Sequence, residues 1–134
     1  MGELLAMRAI VLGLCTAMVL VVRVADAQMP LPAAKPPDGP TLFKQQCAVC
    51  HTLSLSESMR QGPPLVKIVG RPAGKAEGFK YSEALSKADF TWDETRLDAW
   101  LTNPQGVVPG VTMVYRQAKP ETRASIITYL KEQN

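Results

Sequence analysis

The stretch FKQQCAVCHTLS, residues 43–54, governs how the rest of the chain is read. Cys47 and Cys50 lie three apart, and His51, the only histidine, follows at once. Such a pentad can be a redox dithiol, half of a zinc site or an attachment point for haem. Structural zinc wants four ligands, usually two paired sets, and no cysteine or histidine follows His51. A thioredoxin-like dithiol needs a βαβ setting, and the chain shows no strand alternation. On a helix, residues three apart share a face. Two thiols so placed can reach the two vinyl groups of one porphyrin, with His51 beneath the iron as axial ligand. One covalent haem c is the reading that the pentad and its context favour.

The chain has 134 residues, 46% hydrophobic and 20% charged, which suits one globular domain. Aromatics are only 6%, thin for a core built from side chains alone. Residues 9–22 form an apolar run, and Ala25-Asp26-Ala27 gives a small-residue cleavage pattern. Residues 1–27 therefore read as a secretory signal peptide cleaved after Ala27. The run is short of the roughly 18 residues or more that a membrane span needs, so the membrane enters only if the segment stays uncleaved. Glu3 offsets Arg8, and a start at Met7 would give a cleaner beginning. Cleavage removes Cys15 and leaves the two cysteines of the pentad in an exported, oxidising, periplasmic setting. Net charge is +3 before cleavage and after it, because Arg8, Arg23, Glu3 and Asp26 leave together. There is no basic run, so nucleic acid is not an expected partner. A mild positive charge suits weak docking to acidic proteins.

Residues 28–37 are a Pro-rich leader, and the domain is expected over 38–134. Asp38 can cap a helix with Pro40 in its first turn, carrying Leu42 and Phe43 into the pentad. From Thr52 to Lys80 no period is sustained, which fits a loop wrapped around a large ligand. YSEALSK suggests a short helix. Thr91-x-x-Glu94 reads as a capping box for a helix with Leu97, Trp100 and Leu101 on one stripe, stopped by Pro104. NPQGVVPGVTM reads as loop. A last helix opens at Pro120 with an apolar face of Ile126, Ile127, Tyr129 and Leu130. The fold class is all-α: three to five helices and long loops around one haem.

A second axial ligand cannot be a histidine. Met29 lies in the leader and Met59 in the loop tied to His51. Met113, far along the chain in a turn-rich loop, is the candidate; a thioether raises the reduction potential and keeps the iron six-coordinate.

CAVCH, GPPL, GRPAG, FKYSEA, TW, NPQGVVPGVTM and IITYL occur in the order found in class I c-type cytochromes, bacterial relatives of mitochondrial cytochrome c. The likeness runs from about Asp38 to Leu130. It implies the small cytochrome c fold, with thioethers at Cys47 and Cys50 and iron ligands His51 and Met113. It also implies that the Pro63 carbonyl fixes the His51 tautomer. Arg71, Tyr81 and Trp92 resemble the residues that bury and hydrogen-bond the haem propionates. Gly39, Phe43, Ile126 and Tyr129 resemble the crossing of first and last helices.

Departures from that pattern carry expectations of their own. A tyrosine, an asparagine and a threonine that hold a buried water in mitochondrial members match Trp100, Leu85 and Val111. Trp100 offers one donor and the others no polar side-chain atom, so a drier pocket is expected. Lysines that ring the haem edge are matched by Gln46, Gln105 and Thr112, leaving Lys44, Arg60, Arg116 and Lys119. The resemblance implies a monomeric, non-enzymatic electron carrier. Its redox partners would be an oxidase, a cytochrome bc-type complex or a dehydrogenase. A tethered dehydrogenase or oxidase subunit is the alternative; a haem peroxidase or gas sensor would need an open iron position and a distal acid-base group.

Overall fold

The computed structural model describes residues 37–133; the expected signal peptide and all but the last residue of the Pro-rich leader lie outside the described residues. Among the described residues five helices follow in order, α1 (Gly39–Gln46), α2 (Glu83–Ser86), α3 (Glu94–Thr102), α4 (Pro104–Val107) and α5 (Pro120–Glu132). Among the described residues there is no strand, only an isolated antiparallel bridge between Pro72 and Thr91. The all-α expectation holds.

Helix α1 starts as its sequence dictates. The Asp38 carboxylate accepts the Thr41 N–H at 2.9 Å, and Pro40 sits where a missing N–H costs nothing. Helix α5 also opens on a proline, with Glu121 in its first turn and Lys131 in its last, each charge complementing the helix dipole. The two helices cross at Gly39. A Cβ there would lie 2.5 Å from Tyr129 Cβ and 2.7 Å from the Ser125 carbonyl oxygen, so only glycine admits the approach. Phe43 meets the Tyr129 ring edge-on, with centroids 5.8 Å apart. Ile126 is fully buried beneath them.

Helix α3 corrects the expected capping box. Its N-cap is Asp93, whose carboxylate accepts the Arg96 N–H at 2.6 Å. Thr91 belongs to the bridge with Pro72 instead. Around it Trp92 N–H donates to Arg71 O at 2.9 Å, and Gly70 N–H donates to Trp92 O at 2.8 Å. That pairing keeps residues 91 and 92 out of the helix. An ionised carboxylate two residues later does the capping. Leu97, Trp100 and Leu101 are buried as the stripe required.

The stretch at Pro104, read as loop, includes the one-turn helix α4. Asn103 is extended, as a residue before proline prefers, so α3 stops. Pro104 then fits the first position of a new turn. Helix α5 buries more than its apolar residues. Arg123 is nearly inaccessible; its Nε lies 2.7 Å from Asp98 Oδ1, and its Nη1 donates to Gln117 O and Ala118 O. It fastens α5 to α3 and to the chain that arrives from Met113.

Candidate functional site

The turn after α1 carries the pentad. His51 N–H donates to Cys47 O at 2.9 Å, closing one helical turn that brings both cysteines and the histidine to one side. Arg60 ties this turn from outside. Its guanidinium donates to Ala48 O and, at 3.3 Å, to His51 O, and pairs with Glu57 at 3.1 Å. Gly62 lies flat against the imidazole; a Cβ there would sit 2.2 Å from His51 Cε1. The ring is thus cradled on one side by backbone alone.

His51 Nδ1 lies 2.8 Å from Pro63 O. With the proton on Nδ1 donated to that carbonyl, Nε2 keeps a free lone pair. Burial, opposed by the Pro63 hydrogen bond and aided by the nearby Arg71 charge, holds the imidazole below the usual histidine range. The neutral, ligating form is therefore favoured. Cys47 is buried, and that burial, with Cys50 beside it, pushes its thiol up to about 11. The two sulfurs are not bonded to each other.

Between this turn and the Met113 segment lies a cavity of about 370 Å³, within the range of cofactor pockets. All nine residues expected at the site line it: Cys47, Cys50, His51, Pro63, Arg71, Tyr81, Trp92, Trp100 and Met113. Apolar side chains from three helices and the connecting loops close the walls, among them Leu85, Leu97, Val111, Ile126 and Leu130. Met59, half-exposed, packs its methyl against Gly78 and is not part of the lining.

Trp92 and Trp100 meet edge-on at 5.0 Å, and both are buried. Trp100 Nε1–H donates to Met113 Sδ at 3.1 Å. Arg71 donates to Pro64 O at 2.9 Å, bracing the loop that holds Pro63, and the Tyr81 hydroxyl accepts the Ala76 N–H at 3.2 Å. The donor set suits haem. Two thiols, an imidazole lone pair and a thioether border one apolar cavity, and soft sulfur with nitrogen matches iron in a porphyrin.

Residues 37–134 match the family model for cytochrome c. The chain belongs to the cytochrome c family. It is 41% identical over 103 residues to cytochrome c2 of Rhodomicrobium vannielii, covering 76% of this chain and 82% of that one. Cytochrome c of Chlamydomonas reinhardtii is 42% identical over 102 residues, covering 75% and 91%. That of Ulva intestinalis is 38% identical over 102 residues, covering 75% and 92%. The cofactor of this cytochrome is a covalently attached haem c, and its work is haem-based electron transfer with redox proteins as partners.

Some site residues escaped the sequence. Gln46 and Tyr115 line the cavity and are bonded to each other, and Gln117 joins them. The signal was there: Met113, Tyr115 and Gln117 alternate along an extended segment and so share a face. Gln105, matched to a rim lysine, is half-buried. Its amide donates to Val111 O and accepts the Gly110 N–H at 3.1 Å, splinting the loop before Met113. Of the four rim cations, Arg60 is engaged by Glu57 and backbone, while Lys44, Arg116 and Lys119 are exposed.

Proposed function

We propose that this cytochrome is an exported, periplasmic carrier of single electrons between respiratory or dehydrogenase complexes, with one haem c at the described cavity. Cys47 Sγ and Cys50 Sγ would hold the haem through two thioethers. His51 Nε2 and Met113 Sδ would ligate its iron, with Pro63 fixing the imidazole. When bound, haem c supplies a one-electron iron couple. The protein's residues do the rest. Arg71, Tyr81 and Trp92 hold the propionate end, Trp100 steadies Met113, and the apolar walls exclude water.

The observation that carries this reading is the convergence of the pentad and Met113 on one apolar cavity, from segments far apart in sequence. The charge pattern supports weak docking. Lys44, Arg116 and Lys119 are exposed without a partner among the described residues' salt bridges, and such contacts are screened by salt. Among the described residues no helix is long and apolar enough to cross a membrane.

Mass spectrometry of the protein from the periplasm tests the assignment. The expected species begins at Gln28, carries one haem and has no alkylatable thiol after denaturation. A species with two free thiols would overturn it.

A further inference from the structure

Residues 112–116, which carry Met113, make no backbone hydrogen bond among the described residues. The segment is anchored at its ends. Before it, the Gln105 amide holds Val111 and Gly110. After it, Gln117 N–H donates to Leu101 O at 2.8 Å, and Arg123 donates to Gln117 O at 3.0 Å. Between these anchors side-chain hydrogen bonds tie the segment down at two places. One is Trp100 to Met113. The other belongs to a closed ring of three polar groups. The Tyr115 hydroxyl donates to Gln46 Oε1, and Gln117 Nε2 donates to that same oxygen at 2.9 Å and to the Tyr115 oxygen at 3.3 Å. Gln117 cannot flip without loss, because its Oε1 accepts the Lys119 N–H at 3.1 Å. Gln46 ends α1 and directly precedes Cys47. All three residues are half-buried, and two of them border the cavity.

We infer that Gln46, Tyr115 and Gln117 form a clasp that locks the Met113 segment onto the cysteine-bearing end of α1 and so positions the thioether against displacement. The inference rests on Met113 being the iron ligand. An outside base can take the place of the thioether only if residues 112–116 swing away from the cavity. That motion would pull Tyr115 off Gln46, because Tyr115 moves with the segment and Gln46 stays on α1. The clasp residues touch no reacting atom; they are positioning residues. Their placement makes ligand exchange, not the walls of the cavity, the property they control.

The test uses the ferric full-length holoprotein titrated with imidazole, read as apparent affinity and as the limiting rate of binding. Tyr115→Phe and Gln46→Ala each lose the Tyr115–Gln46 bond, which ties residues 112–116 to α1, and each should raise imidazole affinity about fivefold. The double variant should gain far less than the product of the two, because that shared bond is lost in all three. Gln46→Glu keeps an acceptor oxygen for both donors and should restore resistance to within about twofold of the parent, a change too small to count as a lost bond. Circular dichroism establishes that each variant is folded; should Tyr115→Phe not fold, Gln46→Ala and Gln46→Glu carry the test. Parent-like affinity in Tyr115→Phe and Gln46→Ala, or gains that multiply in the double variant, would overturn the clasp. A parent protein that takes up imidazole as readily as Met113→Ala would instead overturn the ligand assignment beneath it, a distinguishable failure.

Discussion

Replacing Trp100 with phenylalanine removes its hydrogen bond to the Met113 sulfur and leaves an aromatic ring in its place. The indole is only 6% exposed, so water does not readily substitute for its N–H. A neutral hydrogen bond contributes about 0.5–1.5 kcal/mol, and thioether sulfur is a weak acceptor, so the lower half of that range applies. A bond donated to the sulfur draws electron density away from it and favours the reduced iron. If the bond differs between oxidation states by most of its worth, about 0.5–1 kcal/mol, the potential should fall by roughly 20–40 mV, at 59 mV per tenfold change for one electron. Spectroelectrochemical titration of parent and Trp100→Phe measures this directly. An unchanged or raised potential would refute the reasoning.

Other outcomes follow from the same geometry. Gly39→Ala forces a Cβ against Tyr129 and the Ser125 carbonyl, and backbone cannot yield cheaply; overpacking of about 1–3 kcal/mol should lower the melting temperature by several degrees or more. Gly70→Ala, with positive φ and open space around it, should cost only the backbone term of about 1–2 kcal/mol, measured in the same melts. His51 sits below its ordinary value, so the folded state binds fewer protons than the unfolded one. Its contribution to stability is therefore complete above the usual histidine range and is lost as pH falls through it toward the lowered folded value. Arg71→Gln removes a repelling charge and the brace on the Pro63 loop, so acid loss of the histidine-ligated spectrum should begin at higher pH.

Much of this was legible because the cofactor writes itself into the sequence. Cys47, Cys50 and His51 are contiguous, and Asp38, Pro40 and Pro120 announce their helices locally. Met113 was legible through its loop and through a resemblance that spans the domain. The capping of α3 was not, because Thr91 and Asp93 both satisfy local rules and only the distant pairing with Pro72 decides between them. Arg123 carries no local sign of burial, yet it is fastened by Asp98 and two carbonyls reached through tertiary contact. Gln46, Tyr115 and Gln117 are polar residues of no special motif. Their meaning arises only when segments about seventy residues apart are brought together.

Carbon monoxide uptake by the ferrous holoprotein at neutral pH tests the central assignment most directly. Closure of the iron by His51 and Met113 predicts no spectral change in the parent protein and prompt uptake in Met113→Ala. Prompt uptake by the parent, or none by Met113→Ala, would contradict it.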